Sequence, residues 1–284
     1  MRKPIEIIAS GLAVALLLGS AAAAVGDSGW RLDPVWDDGK AEYCVYTVEW
    51  RRYGRTYPGS ALLVLVKEPW APDLEVKADR PRVDGFEVLK LNHVRDVTTG
   101  IYSYHQMASA FLRRDTGALR KLTASSTEAC GISTAYLVDG ILETRSYFDG
   151  EGERRMPYPR GALPEDALPA LLRDVVRGPL PPRLEVVPTL LAGRFGDLSP
   201  VSHRVERGEP QPVEIEAGSF SGVELRLSGP AGTLTYIFDA QPPHLLLSHR
   251  SATGSRYQLA KCERLAYWRM TSPGDRGWLP AVAR

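Results

Sequence analysis

The sequence holds little that would serve as chemical machinery. Its 284 residues contain three cysteines and five histidines, and no pair of them has metal-ligand spacing, so no metal is expected. Neither sign of charge is in excess, with 35 Lys and Arg against 34 Asp and Glu. That excludes the global basic field of a nucleic-acid binder. No period of about 20 to 50 residues marks a propeller or solenoid. Boxes for a nucleophile fail on context. Gly26-Asp27-Ser28-Gly29 has no preceding barrel to position it, and Phe220 occupies the centre of residues 218–222, where a nucleophile elbow needs Ser. No cofactor motif is present. What is there is ordinary: 44% hydrophobic and 24% charged residues, enough to build a core.

The first 24 residues read as a cleaved leader. Arg2 and Lys3 precede a compact apolar run at 11–19, and Ala21 to Ala24 supply the small residues that a signal peptidase reads. The run is shorter than the ~20 apolar residues of a spanning helix, so no transmembrane segment is expected after cleavage. A leader ending at Ala24 carries Arg2, Lys3 and Glu6, and its loss takes the net charge from +1 to zero. The expected location is the bacterial envelope, periplasmic or secreted.

Beyond the leader, short alternating runs separated by Gly, Pro, Asn and Asp predict antiparallel strands. Ala41–Arg52 alternates, and the apolar run at 60–68 is a buried strand ended by Pro69. Asp139-Gly140 is the strongest hairpin signal. A four-strand meander fills 219–268. Between them, Pro164, Glu165 and Asp166 open a short amphipathic helix over 164–176, with Leu168, Leu171, Leu172, Val175 and Val176 at helical spacing. The fold class is mainly β: a curved antiparallel sheet or half-barrel with one short amphipathic helix. It forms one domain over 28–279, or two halves, 28–160 and 183–279, joined by the Pro-rich helical connection.

An oxidising compartment favours one disulfide among Cys44, Cys130 and Cys262, which allows three pairings. Cys44 with Cys262 is preferred, since they lie in the first and last strands. Cys130 is then expected as a small buried hydrophobe. The carboxylates of 149–153 lack the twelve-residue frame of a Ca²⁺ loop and read as a solvated turn.

Polar function concentrates in one strand-turn-strand: His93, Arg95, Asp96, Tyr102, Tyr104 and His105 form the candidate ligand site. The stretch VLKLNHVRDVTTGIYSYHQMASAF, followed by SSTEACG and the ending RYQLAKCERLAYWRM, resembles an uncharacterised group of exported bacterial proteins. The second half, a Pro-rich helix followed by AGSFSGVELRL and four strands, resembles periplasmic half-barrel domains of unknown function, similar in shape to the carriers that localise bacterial lipoproteins. That resemblance implies a fold and carries over no site residue. The reading that follows is an envelope protein that binds or transfers a lipid-like ligand in the concavity of the sheet. The alternative is an assembly factor docking on another envelope protein through a sheet edge. Third comes an enzyme using His93 or His105 with Asp96, or the Cys130 thiol.

Overall fold

The computed structural model describes residues 29–80 and 82–279. The expected leader at 1–24 and residues 26–28 lie outside them. A single helical turn, α1 (Gly29–Leu32), leads into a run of strands: β1 (Ala41–Arg52), β2 (Arg55–Ala71), the short β3 (Val76–Lys77), β4 (Phe86–Thr99), β5 (Tyr102–Arg113), β6 (Leu119–Glu128), β7 (Gly131–Val138), β8 (Ile141–Arg145) and β9 (Glu153–Pro157). β10 (Leu163–Pro164) is followed by two further helical turns, α2 (Leu168–Leu171) and α3 (Asp174–Arg177). The remaining strands are β11 (Arg183–Val187), β12 (Val201–Arg207), β13 (Gln211–Ile215), β14 (Gly218–Gly229), β15 (Gly232–Asp239), β16 (Leu246–Arg250) and β17 (Arg256–Leu265).

All seventeen strands belong to one sheet. β17 pairs antiparallel with the free side of β1, so the second run of strands extends the first from its beginning. Among the described residues, the outermost strands are β9, paired only with β8, and β10, paired only with β11. With neighbours ~4.8 Å apart, so many strands laid flat would span on the order of 70 Å. Yet residues 158–162 alone join the two edges, and so short a stretch reaches no more than about 22 Å. The sheet must therefore curl until its edges face each other, which makes it barrel-like with an unpaired seam. Turn chemistry supports the tight reversals: Tyr53-Gly54 and Asp139-Gly140 both adopt the left-handed conformation that two-residue hairpins require.

The curl is filled from within. The helix expected over 164–176 is two single turns interrupted at Leu172-Arg173, and it is a plug rather than a lid. Leu168, Leu172, Val175 and Val176 are buried, but so are Pro169, Ala170, Arg173 and Asp174 on the opposite side. An amphipathic pattern misreads this element because its polar residues meet protein rather than water. Arg173 donates to Glu42 at 2.5 Å, and Asp174 accepts from Arg31 and, at 2.6 Å, from the Trp30 indole. Leu190, Leu191, Phe195 and Leu198, from the loop between β11 and β12, complete the apolar packing.

Cys44 and Cys262 face each other across β1 and β17 and form a disulfide. Cys130 is exposed, contrary to its expected burial: it sits in the turn between β6 and β7, where no apolar layer covers it. Glu151 likewise departs from a solvated turn. Its carboxylate accepts from the backbone amides of Phe195 and Gly196, tying the turn after β8 to the β11–β12 loop.

Candidate functional site

One end of the barrel-like sheet carries the turns at 53–54, 100–101 and 251–255 together with the β11–β12 loop. Beneath them lies a chamber of about 210 Å³. Register explains its lining. Arg95 on β4 stands opposite Gln106 on β5, and Tyr236, His249 and Tyr257 form a row across β15, β16 and β17. Since side chains alternate across a strand, these point to the inner face while their neighbours point out. The start of the plug contributes Glu165 and Asp166, and β1 contributes Trp50 and Arg52.

Arg95 anchors the polar network. Its guanidinium donates to the Gln106 carbonyl oxygen, to the Tyr257 hydroxyl at 2.7 Å and to the Leu191 carbonyl at 2.8 Å. It also lies over the Trp50 ring, 5.0 Å from its centroid, and Arg52 lies 5.1 Å from the same ring. Opposite, Asp166 accepts from the Thr189 hydroxyl at 2.5 Å and from the Leu190 amide at 2.7 Å. Burial and the neighbouring Asp166 push the Glu165 carboxyl up to about 7. Burial also raises Asp166. The two imidazoles move the other way. Burial, with Arg95 and His249 nearby, lowers His93 to about 3, and burial lowers His249 to about 4. Both rings are therefore neutral at pH 7. His93 Nε2 is buried without a hydrogen-bond partner, whereas His249 Nδ1 is fixed by the Thr235 carbonyl at 3.2 Å.

Of the six residues expected to form the site, His93 and Arg95 line this chamber. Asp96 and His105 pair with each other at 2.5 Å on the outer face. Tyr102 bonds to Glu128 and, at 2.6 Å, to the Cys130 thiol at the rim. Tyr104 packs edge-on against Trp50 and shares a 2.8 Å hydrogen bond with the Tyr53 hydroxyl. Sequence reading missed Glu165, Asp166, Tyr236, His249 and Tyr257, which come from distant elements. The one available signal was a pair of acidic residues before an apolar run, and that is also the ordinary start of a helix. Among the described residues, no group of three or more His, Cys, Asp or Glu is placed to hold a metal ion, and no helix is long and apolar enough to cross a membrane.

These shifts make stability depend on pH in two opposed ways. His93 and His249 refuse protons that the unfolded chain accepts, so their contribution is complete above about 6.5 and is lost as pH falls toward their folded values. Glu165 keeps a proton that the unfolded chain releases near 4.5, so its contribution is lost as pH rises through about 7. Three histidines held neutral by burial, His244 included, outweigh the two raised carboxyls, Glu165 and Asp166, below pH 6.5. Stability in urea is therefore expected to peak near pH 6.5 and fall toward pH 4, by up to ~1.4 kcal/mol per pH unit per histidine. His249→Phe should flatten the acid limb. A wild-type profile already flat between pH 4 and 6.5 would contradict the neutral burial of these rings.

No family model matches the chain, and no curated protein matches it. Among solved structures, it is similar to the crystal structure of a beta-barrel-like protein of the domain of unknown function DUF1849 from Brucella abortus. The two are 10% identical with a TM-score of 0.46, over 80% of this chain and 98% of that one.

Proposed function

We propose that this chain is a ligand-binding protein of the bacterial envelope that receives a small polar molecule, or the polar head of an amphipathic one, in the chamber at the turn end of its sheet. One observation supports this reading above others. Ionisable side chains whose burial is unfavourable are gathered around an open chamber, while the buried charges elsewhere, Arg31 with Asp174 and Arg173 with Glu42, pair with each other within an otherwise apolar interior. A purely structural polar network closes on itself. This one leaves His93 Nε2 without a partner, and among the described residues the Glu165 carboxyl is met by the Thr189 backbone amide and by no side chain.

Size restricts the guest. At about 210 Å³, the chamber is smaller than the ~300–1,000 Å³ of sites that enclose drug-sized ligands, and the apolar concavity expected to shelter a lipid holds the plug instead. A lipid-like ligand fits only with its head inside and its chains outside. Tyr53 and Ile101, 66% and 102% exposed in turns at this end, offer apolar surface for them. Docking through a sheet edge finds less support. The outer strand β9 is five residues long and carries Glu153, Arg154 and Arg155, and short charged edges resist pairing with another strand.

Native mass spectrometry of the exported full-length protein tests the proposal. The expected result is a retained small molecule that is released on unfolding and lost from a Tyr257→Phe, His249→Phe double variant that still folds. An empty wild-type protein, with tryptophan emission unmoved by a small-molecule extract of the envelope, would sink it.

A further inference from the structure

The charge pattern of the chamber indicates what kind of molecule it takes. Resting on the binding reading above, we infer that the chamber recognises an oxyanion, a carboxylate or a phosphate- or sulfate-like group, through Arg52 and Arg95, and that the anion enters together with a proton held on Glu165.

The first observation is a charge that no carboxylate contacts, although Arg95 acts at a distance on both Glu165 and Asp166. Elsewhere in this protein, buried guanidiniums are matched: the Arg31 and Arg173 side chains, each 3% exposed, form ion pairs with Asp174 and Glu42, and the largely covered Arg114 is paired with Asp37 and Glu87. Arg95 is also buried, 9% exposed, yet among the described residues it forms no ion pair, and neither do Arg51 and Arg52 at the mouth. A guanidinium cannot shed its proton to escape burial. Arg95 is steadied by neutral acceptors, and these occupy four of its five N–H groups, leaving one on Nη1 without a protein acceptor. Arg52 and Arg95 both rest on Trp50, so the indole aligns the two cations beside the opening.

The second observation concerns what else faces the space. Arg51 and Arg52 come from β1, His93 and Arg95 from β4, Tyr236 from β15, His249 from β16, Tyr257 from β17, and Glu165 and Asp166 from the plug. Burial keeps the His93 and His249 imidazoles and the Tyr236 phenol neutral near pH 7, so they offset nothing. Asp166 is engaged by Thr189 and Leu190. Burial favours the neutral form of both carboxyls, and Glu165, which no side chain holds, is the one poised to change its charge. An incoming oxyanion would be repelled by a Glu165 carboxylate, whereas the protonated acid donates a hydrogen bond to it. Linkage then makes anion affinity fall as pH rises, by about tenfold from pH 6 to pH 8 for one coupled proton.

Calorimetry on the full mature chain decides the matter, using probes that do not titrate between those pH values: sulfate and lactate as free oxyanions, and phosphatidylglycerol vesicles against phosphatidylcholine vesicles for an anionic headgroup. At least one anionic probe should bind saturably, about tenfold more tightly at pH 6 than at pH 8, with proton uptake revealed by buffers of different ionisation enthalpy. Preference for the vesicles identifies a lipid headgroup, and preference for the free ions identifies a small solute. Arg52→Gln, at a half-exposed position where the fold is not at stake, should weaken binding at least tenfold. Glu165→Gln should retain binding and abolish its pH dependence. If no anion binds while native mass spectrometry finds a neutral or cationic guest, the inference fails and the binding reading stands. If nothing binds by either method, both fail. Anion binding indifferent to Arg52→Gln and Glu165→Gln also overturns the inference, because the anion then sits elsewhere.

Discussion

Reduction of the Cys44–Cys262 disulfide, or its replacement by Cys44→Ser with Cys262→Ser, is expected to lower the unfolding midpoint by more than any single surface substitution. The bond spans 218 residues and joins the first and last long strands of the sheet. In the chain-entropy model, closing a loop of that length removes about 5 kcal/mol of freedom from the unfolded chain. Native contacts across β1 and β17 survive without the bond, so measured losses should lie between ~2 and ~5 kcal/mol. For a chain of this size that corresponds to a fall of roughly 4 to 10 °C in Tm. Circular dichroism melts with and without reductant give the comparison. Overlapping melts would show that hydrogen bonding along this strand pair holds the ends together unaided.

The strands were legible because their information is local. The alternation of Ala41–Arg52 and the Asp139-Gly140 turn depend on neighbours in the chain, and the observed elements coincide with them. The disulfide was reachable for a related reason: first and last strands meet in a sheet that curls. The plug was not legible. Its leucines and valines recur as they would on a surface helix, and nothing local says that Arg173 and Asp174 meet Glu42 and Arg31, each more than a hundred residues away in the chain.

The site was half legible for a geometric reason. His93, Arg95 and Asp96 are close in sequence, but strand parity sends Asp96 to the face opposite the other two, and the pairing of Asp96 with His105 takes His105 with it. Tyr102 and Tyr104 share the inner parity, yet they stand nearer the turn and bond to rim residues. Composition pointed to the strand pair that sends His93 and Arg95 toward the chamber, and register decided which side chains look inward. Glu165 illustrates the limit most clearly. In sequence it is an acidic residue at a helix start; in the folded chain the same residue stands under a chamber whose other walls come from strands at both ends of the sequence.

The plug itself carries the second large expectation. Asp174→Ala should destabilise the protein by about 3 to 5 kcal/mol in urea, because it leaves the Arg31 guanidinium buried with no carboxylate. Asp174 and Arg31 are 1% and 3% exposed at their side chains, so water cannot replace the lost partner, and the Trp30 indole N–H loses its acceptor as well. Attraction across the pair and the penalty for leaving one member alone are separate quantities. The double variant Arg31→Met with Asp174→Leu, which removes both charges and keeps apolar volume, should therefore recover much of the loss. Recovery would mean that the pair fixes the position of α1 against α3 and adds little net stability. If Asp174→Ala costs under about 1 kcal/mol, Arg31 has found another route to solvent, and the N-terminal turn is anchored by Trp30 and Trp36 packing alone.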